Sequence, residues 1–96
     1  NDYSINESLF HWQSQSTTSD TASTGQRYIN HRQRGSKVVL FVREFKQDSI
    51  GAAPYTCLGI AAYVKHTGSK PMNITWHLDQ PIPAKYLRKT NKLVVG

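Results

Sequence analysis

The chain of 96 residues holds one cysteine, one methionine and only six acidic residues. A lone Cys57 excludes an internal disulfide framework. It sits in the apolar run TCLGIAAY with no cation or helix start beside it, so it reads as a buried small hydrophobe rather than a reactive thiol. A reducing compartment follows as the default, and the expected location is cytoplasmic. No apolar run is long enough for a membrane helix and no leader is visible, so no membrane partner is expected. Two glycosylation-type acceptors, Asn6 and Asn73, then read as chance matches. The four histidines, at 11, 31, 66 and 77, are too scattered for metal-ligand spacing. No metal and no cofactor is therefore expected. There is no GxxxxGK[ST] phosphate loop, which excludes ATP hydrolysis by that route.

The shortage of acids is uneven. Twelve Lys and Arg stand against six Asp and Glu, a net charge of +6. Between Asp20 and Glu44 there is no acid, yet Arg27, Arg32, Arg34, Lys37 and Arg43 lie there. After Asp79 no acid follows, while Lys85, Arg88, Lys89 and Lys92 do. Such runs suit a polyanion, most simply nucleic acid. The bland alternative is an ordinary solvated face. If four to six of these cations touch DNA, the log–log salt slope of binding should be roughly −4 to −5.

A single domain is the natural count at this length, and a domain this small hides only about 60–65% of the surface its unfolded chain exposes. The core is modest and β-rich. In SLFHWQSQ, Phe10 and Trp12 alternate with His11, Gln13 and Gln15, so the two rings are core anchors and the polar set shares the other face. Residues 17–25 are rich in Ser and Thr and read as a loop. A short helix is expected from about Ser23 to Arg32, capped by a hydroxyl and ended at Gly35. KVVLFVREF, residues 37–45, is the clearest strand, and its consecutive apolar residues predict cover on both faces. Residues 47–54 form a turn region. Residues 55–65 form a second strand, with Gly59 marking a bulge. Residues 66–69 connect to a third strand over 72–78, with one solvated face. Residues 84–87 suit one helical turn, and 92–95 a short terminal strand or an unravelled end. The expected fold is mainly β: a small bent sheet or partly open barrel of four or five strands with one short helix.

Several blocks taken together are similar to a known family. They are FHWQSQ (10–15), TGQRYINH (24–31), LFVRE (40–44), YTCLG (55–59), KPMNITW (70–76) and PIP (81–83). In this order they resemble the C-terminal domain of unknown function, number 3427, of bacterial DEAD/DEAH superfamily II helicases. Those proteins often carry a phospholipase-D-type nuclease domain as well. The resemblance implies a piece of a larger helicase/nuclease polypeptide, with those domains and DNA as partners, in restriction or phage defence. It implies context rather than chemistry.

The residues that would carry binding are Gln13, Ser14, Gln15, Arg27, His31, Arg32, Arg34, Arg43 and Lys46. Arginines hold phosphates through charge-assisted hydrogen bonds. Gln13 and Gln15 would approach base edges or a flipped base, since an amide can both donate and accept. The expected function is a non-catalytic DNA-binding accessory module. Two alternatives stand beside it. Glu44-Phe45-Lys46 matches the second half of a Mg²⁺ nuclease site, with Asp20 or Glu7 as the upstream acid. A scaffold packing on the helicase is the other, and an exposed apolar patch would be its sign.

Overall fold

The computed structural model describes residues 2–43, 47–48, 51–52, 55–87 and 94–95. Eight strands and two short helices follow one another: β1 (Tyr3–Ser4), β2 (Leu9–Gln13), α1 (Ser23–Ile29), β3 (Val38–Arg43), β4 (Gln47–Asp48), β5 (Gly51–Ala52), β6 (Thr56–Thr67), β7 (Asn73–Leu78), α2 (Ala84–Leu87) and β8 (Val94–Val95). Six of the strands form one antiparallel sheet in the order β1-β2-β7-β6-β3-β8, and β4 and β5 pair as a separate ribbon. The sheet curves into a half-barrel. The mainly-β expectation holds, with two strands, β1 and β8, extending the sheet at its edges.

Side-chain alternation explains which face curls inward. In β2, Phe10 pairs with Trp76 and Trp12 with Ile74, so these four share the inner face. Phe10, Ile74, Trp76 and Leu78 are buried, and Trp12 packs against them. Each large side chain so buried stabilises the fold by about 1.5–3 kcal/mol. Leu40, Val42, Leu58 and Ala61 continue the core from β3 and β6, and Ile82 and Tyr86 close one end from α2 and the segment before it. The Thr56 and Tyr86 hydroxyls meet at 2.6 Å beneath that turn.

β6 changes inward parity twice. Leu40 pairs with Gly59 but Phe41 with Cys57, which leaves Leu58 as an extra residue. Gly59 takes φ +99, a backbone angle costly for any side chain, and lets both Leu58 and Ala61 reach the core. The expected bulge at Gly59 is therefore present. A second shift between Tyr63 and Lys65 brings His66 to the inner face opposite Ile74.

Three local expectations are corrected. β3 is covered on one face only: Leu40 and Val42 are buried, while Val39 and Phe41 are 43% and 48% exposed. The half-barrel has a single layer here, so the alternate residues of an apolar run meet solvent. Cys57 is exposed, because its register opposite Phe41 puts it on that same outer face. The helix begins after Ala22 without a side-chain cap; the Ser19 hydroxyl instead accepts the Ala22 N–H at 3.0 Å. α1 ends at Ile29, and a run of turns carries the chain to Gly35, at φ +71.

α1 sits close to the loop before it because of Gly25. A Cβ there would collide with the Ser19 carbonyl and come within 3.0 Å of the Met72 sulfur. A residue of poor helix propensity is thus needed in the helix by space.

Candidate nucleic-acid interface

Arg27, Arg32, Arg34 and Lys37 are all exposed, on α1 and the turns that follow it. His66 pairs with Asp20, and none of these four cations pairs with a carboxylate among the described residues. The Arg32 Nη2 donates to the Tyr63 carbonyl at 3.3 Å, which fixes the turn against β6. Arg43 is half-buried and lays its guanidinium over the Tyr55 ring at 4.6 Å. Lys46 lies outside the described residues, as do Glu44 and the cations at 88, 89 and 92.

Ser14 and His31 stand apart from the other candidates. Ser14 is buried; its hydroxyl accepts the Met72 N–H at 2.8 Å and donates to the Gln15 carbonyl at 3.1 Å. His31 is buried too, with both ring nitrogens engaged. Nδ1 meets the Ser36 carbonyl at 3.0 Å and Nε2 meets the Tyr63 N–H at 3.1 Å. The carbonyl requires a donor and the amide requires an acceptor, which sets the Nδ1–H tautomer. Both residues serve the fold, so the reading developed below rests on the exposed candidates.

Gln13 is separated from the arginines. Gln13 lies on the face of β2 opposite Trp12, where its side chain donates to Asn73 Oδ1 at 3.4 Å and its N–H donates to Asp2 Oδ1 at 2.6 Å. Gln15 is exposed in the turn closed by the Thr18 N–H on its carbonyl. The helix α1 instead packs on the Trp12 side, through Tyr28 edge-on to Trp12 at 5.3 Å. The sheet therefore stands between Gln13 and the cationic segment.

A feature unread in the sequence is a ring cluster built around Trp76. Trp12, Tyr28, His31 and Tyr63 all place rings within 6.4 Å of it. These residues come from β2, α1, the turn after it, β6 and β7, and no spacing in the chain ties them together. Burial raises the pKa of Tyr63 above 10.0. Its hydroxyl meets His66 Nδ1 at 2.6 Å, and His66 Nε2 reaches Asp20 Oδ2 at 3.2 Å. This chain of polar atoms latches the loop before α1 to β6. Beside the cluster lies a cavity of about 620 Å³. Its walls are Trp12, Tyr28 and Trp76, the β3 residues 38–41, and Tyr55.

The described residues hold no group of three or more His, Cys, Asp or Glu side chains arranged for a metal ion. They also hold no helix long and apolar enough to cross a membrane.

The fold and surface thus define a small antiparallel half-barrel with an unneutralised cationic segment beside an aromatic hollow. A family model described as "Domain of unknown function (DUF3427)" matches residues 1–89, and the chain belongs to that family. No curated protein and no solved structure matches it.

Proposed function

We propose that this domain is a non-catalytic, DNA-binding accessory module of a larger bacterial helicase or nuclease polypeptide acting in restriction or phage defence. The observation that carries the reading is the segment 27–37. Four cations there are exposed and lack carboxylate partners among the described residues. They lie on α1 and on a turn bonded to β6 through Arg32 and His31, and form a cationic ridge. Phosphates neutralised by such a ridge release condensed counterions, which supplies most of the affinity. Arg43, the last residue of β3, extends the proposed contact, Lys46 belongs to the proposed set on its sequence alone, and Gln15 is an exposed amide available for base edges.

The test is fluorescence anisotropy of the 96-residue chain with labelled single- and double-stranded DNA across a salt series. Binding that weakens steeply with salt, and weakens further in Arg32→Ala/Arg34→Ala, supports the module. Absence of binding at low salt removes it.

One observation favours a second reading, a scaffold that docks on the rest of the polypeptide. Val39, Phe41 and Ile60 are each more than a third exposed on the outer face of β3 and β6, with Cys57 beside them. Intact DNA binding in an Ile60→Ser variant would separate that face from the cationic ridge.

A further inference from the structure

The cavity and the cationic ridge share their ends. Tyr28, which forms one wall, lies next to Arg27 in α1, and Val38, which forms another, follows Lys37. The four exposed cations thus lie on the stretch of chain that joins two of its walls. A ligand that fits this arrangement needs a flat apolar body and an attached negative charge.

The third wall is more specific. Four consecutive residues, 38–41, line the cavity, although Val38 and Leu40 point inward and Val39 and Phe41 outward. One strand face cannot present four successive side chains, so the cavity looks onto the edge of β3. The hydrogen-bond phase of that edge follows from register. Val38 pairs with Ala61, which puts Ser36 opposite Tyr63, and the Tyr63 N–H is directed toward Ser36 through His31. Backbone groups alternate sides along a strand. Ser36, Val38 and Leu40 therefore turn their N–H and C=O toward β6, and Val39 turns its own to the opposite edge. Among the described residues β8 pairs only with Val42 and Arg43, and no strand pairs with the edge of β3 at Val39. Trp76 also lines the cavity, and its indole N–H is buried without an acceptor among the described residues.

We infer that this cavity takes an unstacked nucleobase of single-stranded DNA, held between the Trp12, Tyr28 and Tyr55 rings, with its flanking phosphates on Arg27, Arg32, Arg34 and Lys37. The base supplies a π-face for the rings and in-plane donors and acceptors for the β3 edge. A volume of about 620 Å³ admits a nucleoside with room to spare. An apolar peptide would fill the walls but leave the cations of the adjoining segment without a partner. The inference rests on the DNA-binding reading above and adds to it where the base goes.

The test compares two labelled single-stranded oligonucleotides of equal length and charge, one of thymidines and one of abasic tetrahydrofuran units. Anisotropy is measured with the parent chain, Tyr28→Leu and Tyr55→Ala, each first matched to the parent by far-UV circular dichroism. Stacking of this kind predicts about tenfold or greater preference for the base-bearing strand. Tyr28→Leu and Tyr55→Ala should each lose most of that preference while keeping the salt slope. Because Tyr55 is 45% exposed, its variant preserves the experiment should Tyr28→Leu fail to fold. Equal binding of both strands with a steep salt slope would overturn the pocket and leave the DNA-binding module standing. A preference untouched by Tyr55→Ala and by a folded Tyr28→Leu would also overturn it. Binding of neither strand at low salt would remove the module and the pocket together.

Discussion

Ser36 and Tyr63 are joined through a third residue rather than directly: the Ser36 carbonyl takes a proton from one nitrogen of His31, and the Tyr63 N–H gives one to the other. The register of β3 on β6 places these two residues opposite each other, one step beyond Val38 and Ala61 on the same face. The ladder between β3 and β6 ends before this pair, and the imidazole joins the two residues instead. The ladder is thereby extended into the turn that carries the arginines. This relationship makes His31 a part of the sheet.

Replacing His31 tests that role. His31→Ala leaves a part-buried carbonyl and a part-buried amide without partners. The expected loss is about 2 kcal/mol, or roughly 8–16 °C in Tm for a domain of this size. Thermal unfolding followed by circular dichroism reads it. DNA affinity of the folded variant should stay near that of the parent; a large loss of affinity with unchanged Tm would make His31 a ligand instead.

Gly25→Ala should destabilise although alanine is the better helix former. The new methyl meets the Ser19 carbonyl and the Met72 sulfur, and the backbone contact has no rotamer to yield. Overpacking of this type costs about 1–3 kcal/mol, against a propensity gain of roughly 1 kcal/mol. An unchanged or higher Tm would show that α1 can shift away from its loop.

Tyr63 ties pH to stability through burial. Its folded pKa lies above 10.0 because desolvation disfavours the phenolate. A group raised in the folded state holds its proton longer there than in the unfolded chain. Stability is therefore unaffected below pH 10 and falls as pH rises through and beyond that value. Denaturant midpoints measured from pH 8 to 11 should drop at the alkaline end, and Tyr63→Phe should flatten the drop.

The latch between His66 and Asp20 should matter less than the His31 bridge. Asp20 is 38% exposed, so solvent screens the pair. Asp20→Asn should cost under about 1 kcal/mol. A Tm loss as large as that of His31→Ala would contradict this ranking.

Arg32→Ala/Arg34→Ala should lower the magnitude of the log–log salt slope by about 2 for double-stranded DNA, with little change in Tm. Anisotropy titrations at four or more salt concentrations read both the slope and the affinity. An unchanged slope would place the phosphates elsewhere.

The mainly-β fold was legible because its strands carry local signals. Phe10 and Trp12 alternate with polar residues and are found inward. Gly59 marks the bulge, and residues 84–87 form the single helical turn expected of them. Strand β1 escaped notice because two residues carry no periodicity, and its pairing rests on β2 alone. The candidate site was legible in part for the same reason. A cationic run without acids is visible in one dimension, as Arg27, Arg32, Arg34 and Lys37 show. That Ser14 and His31 turn inward is not visible, because hydroxyls and imidazoles suit surface and interior equally well until their partners are known.

What the chain determined by itself is whatever depends on near neighbours: the alternation in β2 and β7, the cationic excess of segment 27–37, and the lone Cys57 without a disulfide partner. Tertiary structure alone decided which residues from distant segments meet. It brought Trp12, Tyr28, His31 and Tyr63 around Trp76, and it exposed Val39, Phe41 and Cys57 by leaving the outer face of β3 bare. The physical reason is that ring contacts, cavity walls and a bridged sheet bond depend on distances across the fold. Strand register and curvature set those distances, and no single segment encodes them.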